Sequence, residues 1–412
     1  MRNFAKKLLL VFVSTFITLM IIEVGLRLTG HKYTGSTYIA DPVLGWGLRP
    51  GAGAWETEEG VAWSKINSHG YRDRERTVNK PPGVYRVAVL GDSFTEARQV
   101  DMDKSFTALA EQELNRRHCL GNGPVEVLNF GVPGYGTGQE LLELRERVWQ
   151  FNPDMIVLQF YGGNDMYNNY RALNSTPELA PYFLLRNGKL ELDNSFHQGR
   201  IYNPFYIKLK GIAADITNRS VVLQLVYKWM RARAQQREEA RQNALPQSKS
   251  TDPNAPPPEY QRFLSFLPPT LPSMIEAWQV TEALLAEFGN DVRSHHVPML
   301  LLIMPTVHQI KPDPKVQDAY RAQYHIESLE YADDRIEQDA RSNGIPVVRP
   351  TKQLLEEARR TGLLMAGFPN SGPDGGHLNE RGHTVVSREL VQSICDVATN
   401  YVRPTQSPVI AK

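Results

Sequence analysis

Ser93 stands at the end of V-A-V-L-G-D-S-F, an apolar run halted by a glycine and an aspartate. A serine hydroxyl is a weak nucleophile until a neighbouring base takes its proton. His377, in P-D-G-G-H-L-N, is a candidate base, and Asp374 lies about one helical turn before it. A carboxylate so placed can hold the imidazole in the required tautomer and stabilise its cation. Attack on a carbonyl also needs donors aimed at the developing oxyanion. The backbone N–H of Ser93, that of a glycine in G-V-P-G-Y-G-T-G, and the Asn164 amide in G-G-N-D supply three. The chemistry these types allow is acyl transfer.

Each residue also has a plainer reading. Between a strand and a helix, serine is a common N-cap, and an asparagine after two glycines suits a turn. Far-apart partners of the right types favour the reactive reading of Ser93. The site is not a G-x-S-x-G elbow, because Thr95 occupies the second glycine position. Asp92 and Asp165 read as acceptors that stabilise their loops, and His295, His296 and His383 as helix-face histidines. No His, Cys, Asp or Glu set has convincing metal-ligand spacing, and no cofactor or metal is expected.

The elements that must position these groups alternate. Strands are expected at Arg86–Leu90, Val125–Phe130, Asp154–Phe160, Val297–Met304 and Ile345–Val348. Helices are expected near Lys104–His118, Gln139–Gln150, Ser273–His295, Ile326–Ser342 and Glu380–Thr399, the last with Asn379 as N-cap. Strand and helix in turn imply parallel β-α-β units. Unbroken apolar strands imply that both sheet faces are covered. Ligands in such sheets sit beyond the carboxyl ends of the strands, where Ser93, the glycine loop and Asn164 fall.

The alternation covers residues 85–400 but stops at 166–270, an insertion that can serve as a lid. It holds an Asn187-Gly188 turn, a helix from about Val221 to Arg241 and a linker-like stretch over 243–260. The Arg-rich end of that helix reads as a solvated face, since Glu238 and Glu239 oppose binding to acidic surfaces. Residues 30–84 form a Gly-, Pro- and Trp-rich lead-in of extended pieces and turns, and 401–412 a tail.

Residues 1–29 carry the topological signal. Arg2, Lys6 and Lys7 precede an apolar stretch that runs to Leu28, interrupted by Glu23 and Arg27 one turn apart. That is about the ~20 residues a spanning helix needs. The basic flank leaves the rest of the chain outside the cytoplasm, the periplasm in a Gram-negative cell. No clear small-x-small cleavage site follows, which favours an uncleaved signal anchor over a secretory leader. The 46 basic and 45 acidic residues in a chain of 412 give no field for nucleic acid.

G-D-S-F, the glycine loop, G-G-N-D and D-x-x-H, in this order, resemble the four blocks of the SGNH (GDSL-type) hydrolase superfamily. The resemblance covers roughly residues 85–165 and 271–398. It implies a flavodoxin-like α/β/α sandwich on a five-stranded parallel sheet. It also implies Ser93 as nucleophile and first oxyanion donor, Gly134 as the second donor (Gly131 as fallback) and Asn164 as the third. Asp374 and His377 would complete the triad. Phe94 departs from the leucine of the name motif, and Leu378 follows the histidine where many members have proline. A flavodoxin-like order would bring the helices ending near Cys119 and Cys395 to one sheet face, so these two cysteines are expected to pair.

The expected function is thus hydrolysis of an ester, an O-acyl group on a small molecule or glycan, by a membrane-anchored serine esterase. Two rivals share the fold: an O-acyltransferase acting on a cell-surface glycan, and a non-catalytic glycan-binding or assembly protein.

Overall fold

Five runs of aliphatic and β-branched residues form a parallel sheet whose strands are buried along nearly their whole length. The computed structural model describes residues 2–30, 32–174, 177–244, 265–371 and 376–401. Helix α1 (Arg2–Leu28) comes first, followed by two hairpins, β1 (Tyr38–Asp41) with β2 (Gly45–Leu48) and β3 (Gly53–Glu56) with β4 (Ala62–Lys65). The core then runs β5 (Tyr85–Gly91), α2 (Ser93–Glu96), α3 (Phe106–Arg117), β6 (Val125–Gly131), α4 (Thr137–Glu143), β7 (Met155–Tyr161) and α5 (Asp165–Asn168). The insertion contributes β8 (Tyr182–Arg186), β9 (Lys189–Asp193), α6 (Pro204–Arg219) and α7 (Val221–Ala244). Helix α8 (Pro272–Ser294), β10 (Met299–Met304), α9 (Pro314–Tyr324), α10 (Tyr331–Ser342), β11 (Val347–Val348), α11 (Thr351–Thr361) and α12 (Glu380–Asn400) complete it.

The strand order is β11-β10-β7-β5-β6, the flavodoxin-like order once the core strands are counted from β5. Side chains of α4, α8 and α10 pack on one face of the sheet. Those of α3, α11 and α12 pack on the other. The order reverses between β5 and β7, so the crevice at which such sheets bind ligands opens between the loops after these two strands.

The sequence expectations hold for all five strands within a few residues. The Asn187-Gly188 turn joins β8 to β9 with both residues at positive φ, as a two-residue hairpin turn requires. Helix α4 is shorter than expected, because Leu144–Val148 continues as a π-helical turn and Trp149–Phe151 as a 3-10 turn. Helices α6, α9 and α11 were not anticipated. The linker over 243–260 falls, from residue 245 onward, outside the described residues, as does the tail from 402.

Helix α1 is long and apolar enough to cross a membrane or to be a signal sequence. Glu23 accepts from Arg27 at 2.6 Å, as the one-turn spacing implied, and also caps α7. It does so by accepting from Ser220 Oγ at 2.9 Å and from the N–H groups of Val221 and Val222. The free N–H groups of a helix start favour such a carboxylate. The insertion is therefore fastened directly to the N-terminal helix.

Candidate active site

The turn after β5 is built to present Ser93. Gly91 leaves no room for a side chain: a Cβ there would meet Thr95 Oγ1 at 2.3 Å and Gln159 Oε1 at 2.5 Å. Gln159, from β7, accepts from Asp92 N at 3.1 Å and from Thr95 Oγ1 at 3.0 Å, pinning the turn across the strand-order reversal. Asp92, not Ser93, caps the short α2, taking Phe94 N at 2.9 Å. Ser93 is thus the first helical residue, and among the described residues its N–H has no acceptor.

His377 precedes α12, whose N-cap is Asn379 as expected. Its Nε2 lies 2.8 Å from Ser93 Oγ. Its ring packs on Phe94, centroids 5.0 Å apart, and Phe94 in turn packs on Tyr161. The phenylalanine that departs from the name motif is therefore a buttress for the imidazole.

Asp374 lies outside the described residues, and the contact expected of it is made by Glu59. Glu59 Oε2 sits 2.5 Å from His377 Nδ1, and Oε1 accepts the His377 backbone N–H at 2.9 Å. With Nδ1 against a carboxylate the proton belongs on Nδ1, leaving Nε2 to accept from Ser93. Burial alone would raise the Glu59 carboxyl; hydrogen bonding from His377 and its charge outweigh burial and hold it below the usual carboxylate range.

Glu59 arrives on the tip of the β3–β4 hairpin. Asn370, in the loop before His377, clamps that tip by accepting from Gly60 N at 2.9 Å. It also donates to the carbonyls of Thr57 and Gly60. Gly60 itself has φ +77°, and a Cβ there would meet the Gln99 carbonyl at 2.2 Å.

The oxyanion candidates surround the same crevice. Asn164 donates through Nδ2 to Asp92 Oδ2 at 3.0 Å, which orients the amide. Burial raises the Asp92 carboxyl, although Phe94 N and Asn164 pull it down. Behind it, burial pushes Asp165 and Glu140 well up, and the Asp92 charge adds to both.

The two glycine alternatives separate clearly. Gly131 pairs in β6, gives its N–H to Asn129 Oδ1 at 2.9 Å and has the backbone N of Glu96 where a Cβ would go. Gly134, at φ +78°, has no acceptor for its N–H among the described residues. Its loop is braced by Trp46, whose Nε1 donates to Pro133 O at 2.9 Å. Both lead-in hairpins thus touch the site, one through Trp46 and one through Glu59, and neither residue was anticipated.

His383 is a structural residue. It is buried, accepts from Phe106 N at 3.3 Å and stacks on the Phe106 ring. Burial lowers it to about 3, so it stays neutral. His295 stacks on Trp149 at the surface. Cys119 and Cys395 form a disulfide with Cα atoms 5.5 Å apart, joining the end of α3 to α12.

Residues 89–385 match the model of the GDSL-like Lipase/Acylhydrolase family. The chain belongs to this family. As a GDSL-like acylhydrolase it is an ester-bond hydrolase. Similar solved structures include an acetylxylan esterase mutant from Geobacillus stearothermophilus, 12% identical, covering 75% of this chain and 94% of that one, TM-score 0.37. A putative acylhydrolase from Bacteroides fragilis is 13% identical, with 76% and 88% covered and TM-score 0.32. An alpha/beta hydrolase from the metagenome of Lake Arreo is 15% identical, with 75% and 94% covered and TM-score 0.36. The assignment of this acylhydrolase rests on the family match rather than on these likenesses. Among curated proteins no match is found.

Proposed function

We propose that this acylhydrolase cleaves an O-acyl ester through an acyl-enzyme on Ser93, with His377 as base and Glu59 as its orienting carboxylate. The observation that carries the reading is the continuous relay Ser93 Oγ, His377 Nε2, His377 Nδ1, Glu59 Oε2.

His377 Nε2 takes the Ser93 proton as Oγ bonds to the acyl carbon. The carbonyl oxygen becomes an oxyanion facing the N–H groups of Ser93 and Gly134 and the Asn164 amide. Collapse expels the alcohol, which takes the proton from Nε2. Water then attacks the acyl-enzyme, gives its proton to His377 and releases the acid, returning Oγ–H. Glu59 stays ionised throughout and stabilises the imidazolium.

The reading extends to location. Helix α1 with its basic flank supports an uncleaved anchor that leaves the catalytic domain outside the cytoplasm. The Cys119–Cys395 disulfide suits an oxidising compartment.

Fluorophosphonate labelling tests the chemistry. Wild type should label at Ser93, while Ser93→Ala should neither label nor hydrolyse esters. Retained esterase activity in purified Ser93→Ala would refute the mechanism.

A further inference from the structure

Beside the site lies an open pocket of about 610 Å³, lined by the β1–β2 hairpin, the Pro133-Gly134 turn and α6. It has the size of a small-molecule site, and one wall is the glycine whose N–H is free for the oxyanion. Three of its aromatic side chains turn their polar ends away, while Tyr206 and Lys210 complete the lining with the Lys210 ammonium over the Tyr206 ring. Trp46 Nε1 is committed to Pro133 O. The Tyr38 hydroxyl accepts from Arg98 at 3.2 Å, and that of Tyr202 donates to Leu179 O at 2.9 Å. A sugar bound there would find only Tyr206, Lys210 and the Gly134 N–H to replace the hydrogen bonds it gives up to water. A hydrocarbon chain would lose none and gain burial.

The other side of α6 faces outward. Phe205, Leu209, Ile212 and Ile216 recur at spacings that share one helix face, and all four are exposed. Ile207 and Gly211 line the cavity from the opposite face. Helix α6 leads into α7, and α7 is held at its start by Glu23 of α1. Helix α6 is thus joined, through the start of α7, to the helix proposed to enter the bilayer.

We infer that the cavity under α6 is an alkyl-chain site for the acyl group of the ester, filled from the bilayer on which the outer face of α6 rests. The inference rests on the proposed Ser93 chemistry and anchored α1, and it names the substrate class: esters of medium to long fatty acids carried in a membrane.

The full chain in phosphatidylcholine vesicles, assayed with p-nitrophenyl esters from acetyl to decanoyl, tests it. Wild-type kcat/KM should rise roughly fourfold per added methylene over the first members, and Ile207→Trp should collapse the decanoyl-to-acetyl ratio. Independently of catalysis, Ser93→Ala should bind a fluorescent fatty acid that decanoate displaces, and Ile207→Trp should weaken that binding. A flat or acetyl-favouring profile with no fatty-acid binding by Ser93→Ala overturns the site. Fatty-acid binding with no hydrolysis of any ester upholds the site and sinks the Ser93 mechanism instead. Phe205→Asp with Ile212→Asp should slow turnover of a vesicle-borne ester and spare a water-soluble one. Equal turnover of both would remove the bilayer as the source. Fluorophosphonate labelling of each variant with an intact Ser93 checks that its active site is folded.

Discussion

Glu59 and His377 stand 318 positions apart, yet two hydrogen bonds join them, one to the imidazole Nδ1 and one to the backbone N–H. The second bond matters as much as the first. A carboxylate that grips ring and backbone together fixes where the imidazole sits as well as which nitrogen carries the proton.

Glu59→Gln should therefore lower kcat by up to about 10⁴-fold, the loss seen when the orienting carboxylate of a triad loses its charge. KM should move little, because Glu59 acts through His377. Asp374→Asn is the control and should cost far less. The reverse order of effects in steady-state assays would return the orienting role to Asp374.

Asn164→Ala should leave measurable activity, reduced about 10²- to 10³-fold, as for loss of one oxyanion donor. Fluorophosphonate labelling of Ser93 should persist at a lower rate. Wild-type kcat in the variant would remove Asn164 from the site.

Glu96 offers a prediction about pH. Its carboxyl is buried and, among the described residues, has no hydrogen-bond partner. Burial pushes it up to about 7, although Arg98 and Arg72 pull it down. Between the unfolded value of about 4.3 and about 7 the folded chain holds this proton and the unfolded chain does not. Stability from Glu96 is then full below that window and falls as pH rises through it. Glu96→Gln should flatten the loss of Tm between about pH 4 and about pH 7. Identical slopes in a thermal melt series would contradict this.

Reducing the disulfide, or replacing Cys119 and Cys395 by serine, should destabilise the domain by about 2–5 kcal/mol in urea titrations. The cysteines join α3 to α12, and α12 follows the His377 loop directly, so activity should fall at lower urea than in wild type. Equal thiol counts before and after reduction would show that no bridge exists.

The core strands were legible because buried parallel strands are apolar without interruption, and β10 (M-L-L-L-I-M) could hardly read otherwise. Ser93, Asn164 and His377 stand out in the sequence because glycines mark the loops that carry them. Glu59 does not, since its place depends on Asn370 clamping a hairpin tip from more than 300 residues away. Nothing local distinguishes it from Glu58 beside it. Asp374, three residues before the histidine, is the nearer carboxylate along the chain, and it lies outside the described residues. Helices α6 and α9 carry only a short local signal: each opens with a polar cap before proline, Asn203-Pro204 and Asp313-Pro314. Their exposed faces blurred the apolar period that normally reveals a helix.

The β3–β4 hairpin lies upstream of the stretch that matches the family, which begins at residue 89. A protease that clips the chain between Lys65 and Tyr85 would leave Ser93 and His377 on one piece and Glu59 on the other. Contacts such as Glu23 with α7, Trp46 with Pro133 and Asn370 with the hairpin tip would then be all that holds the two together. Separating the pieces would take the carboxylate from His377, and comparing turnover of the clipped form before and after mild denaturant washing would reveal it.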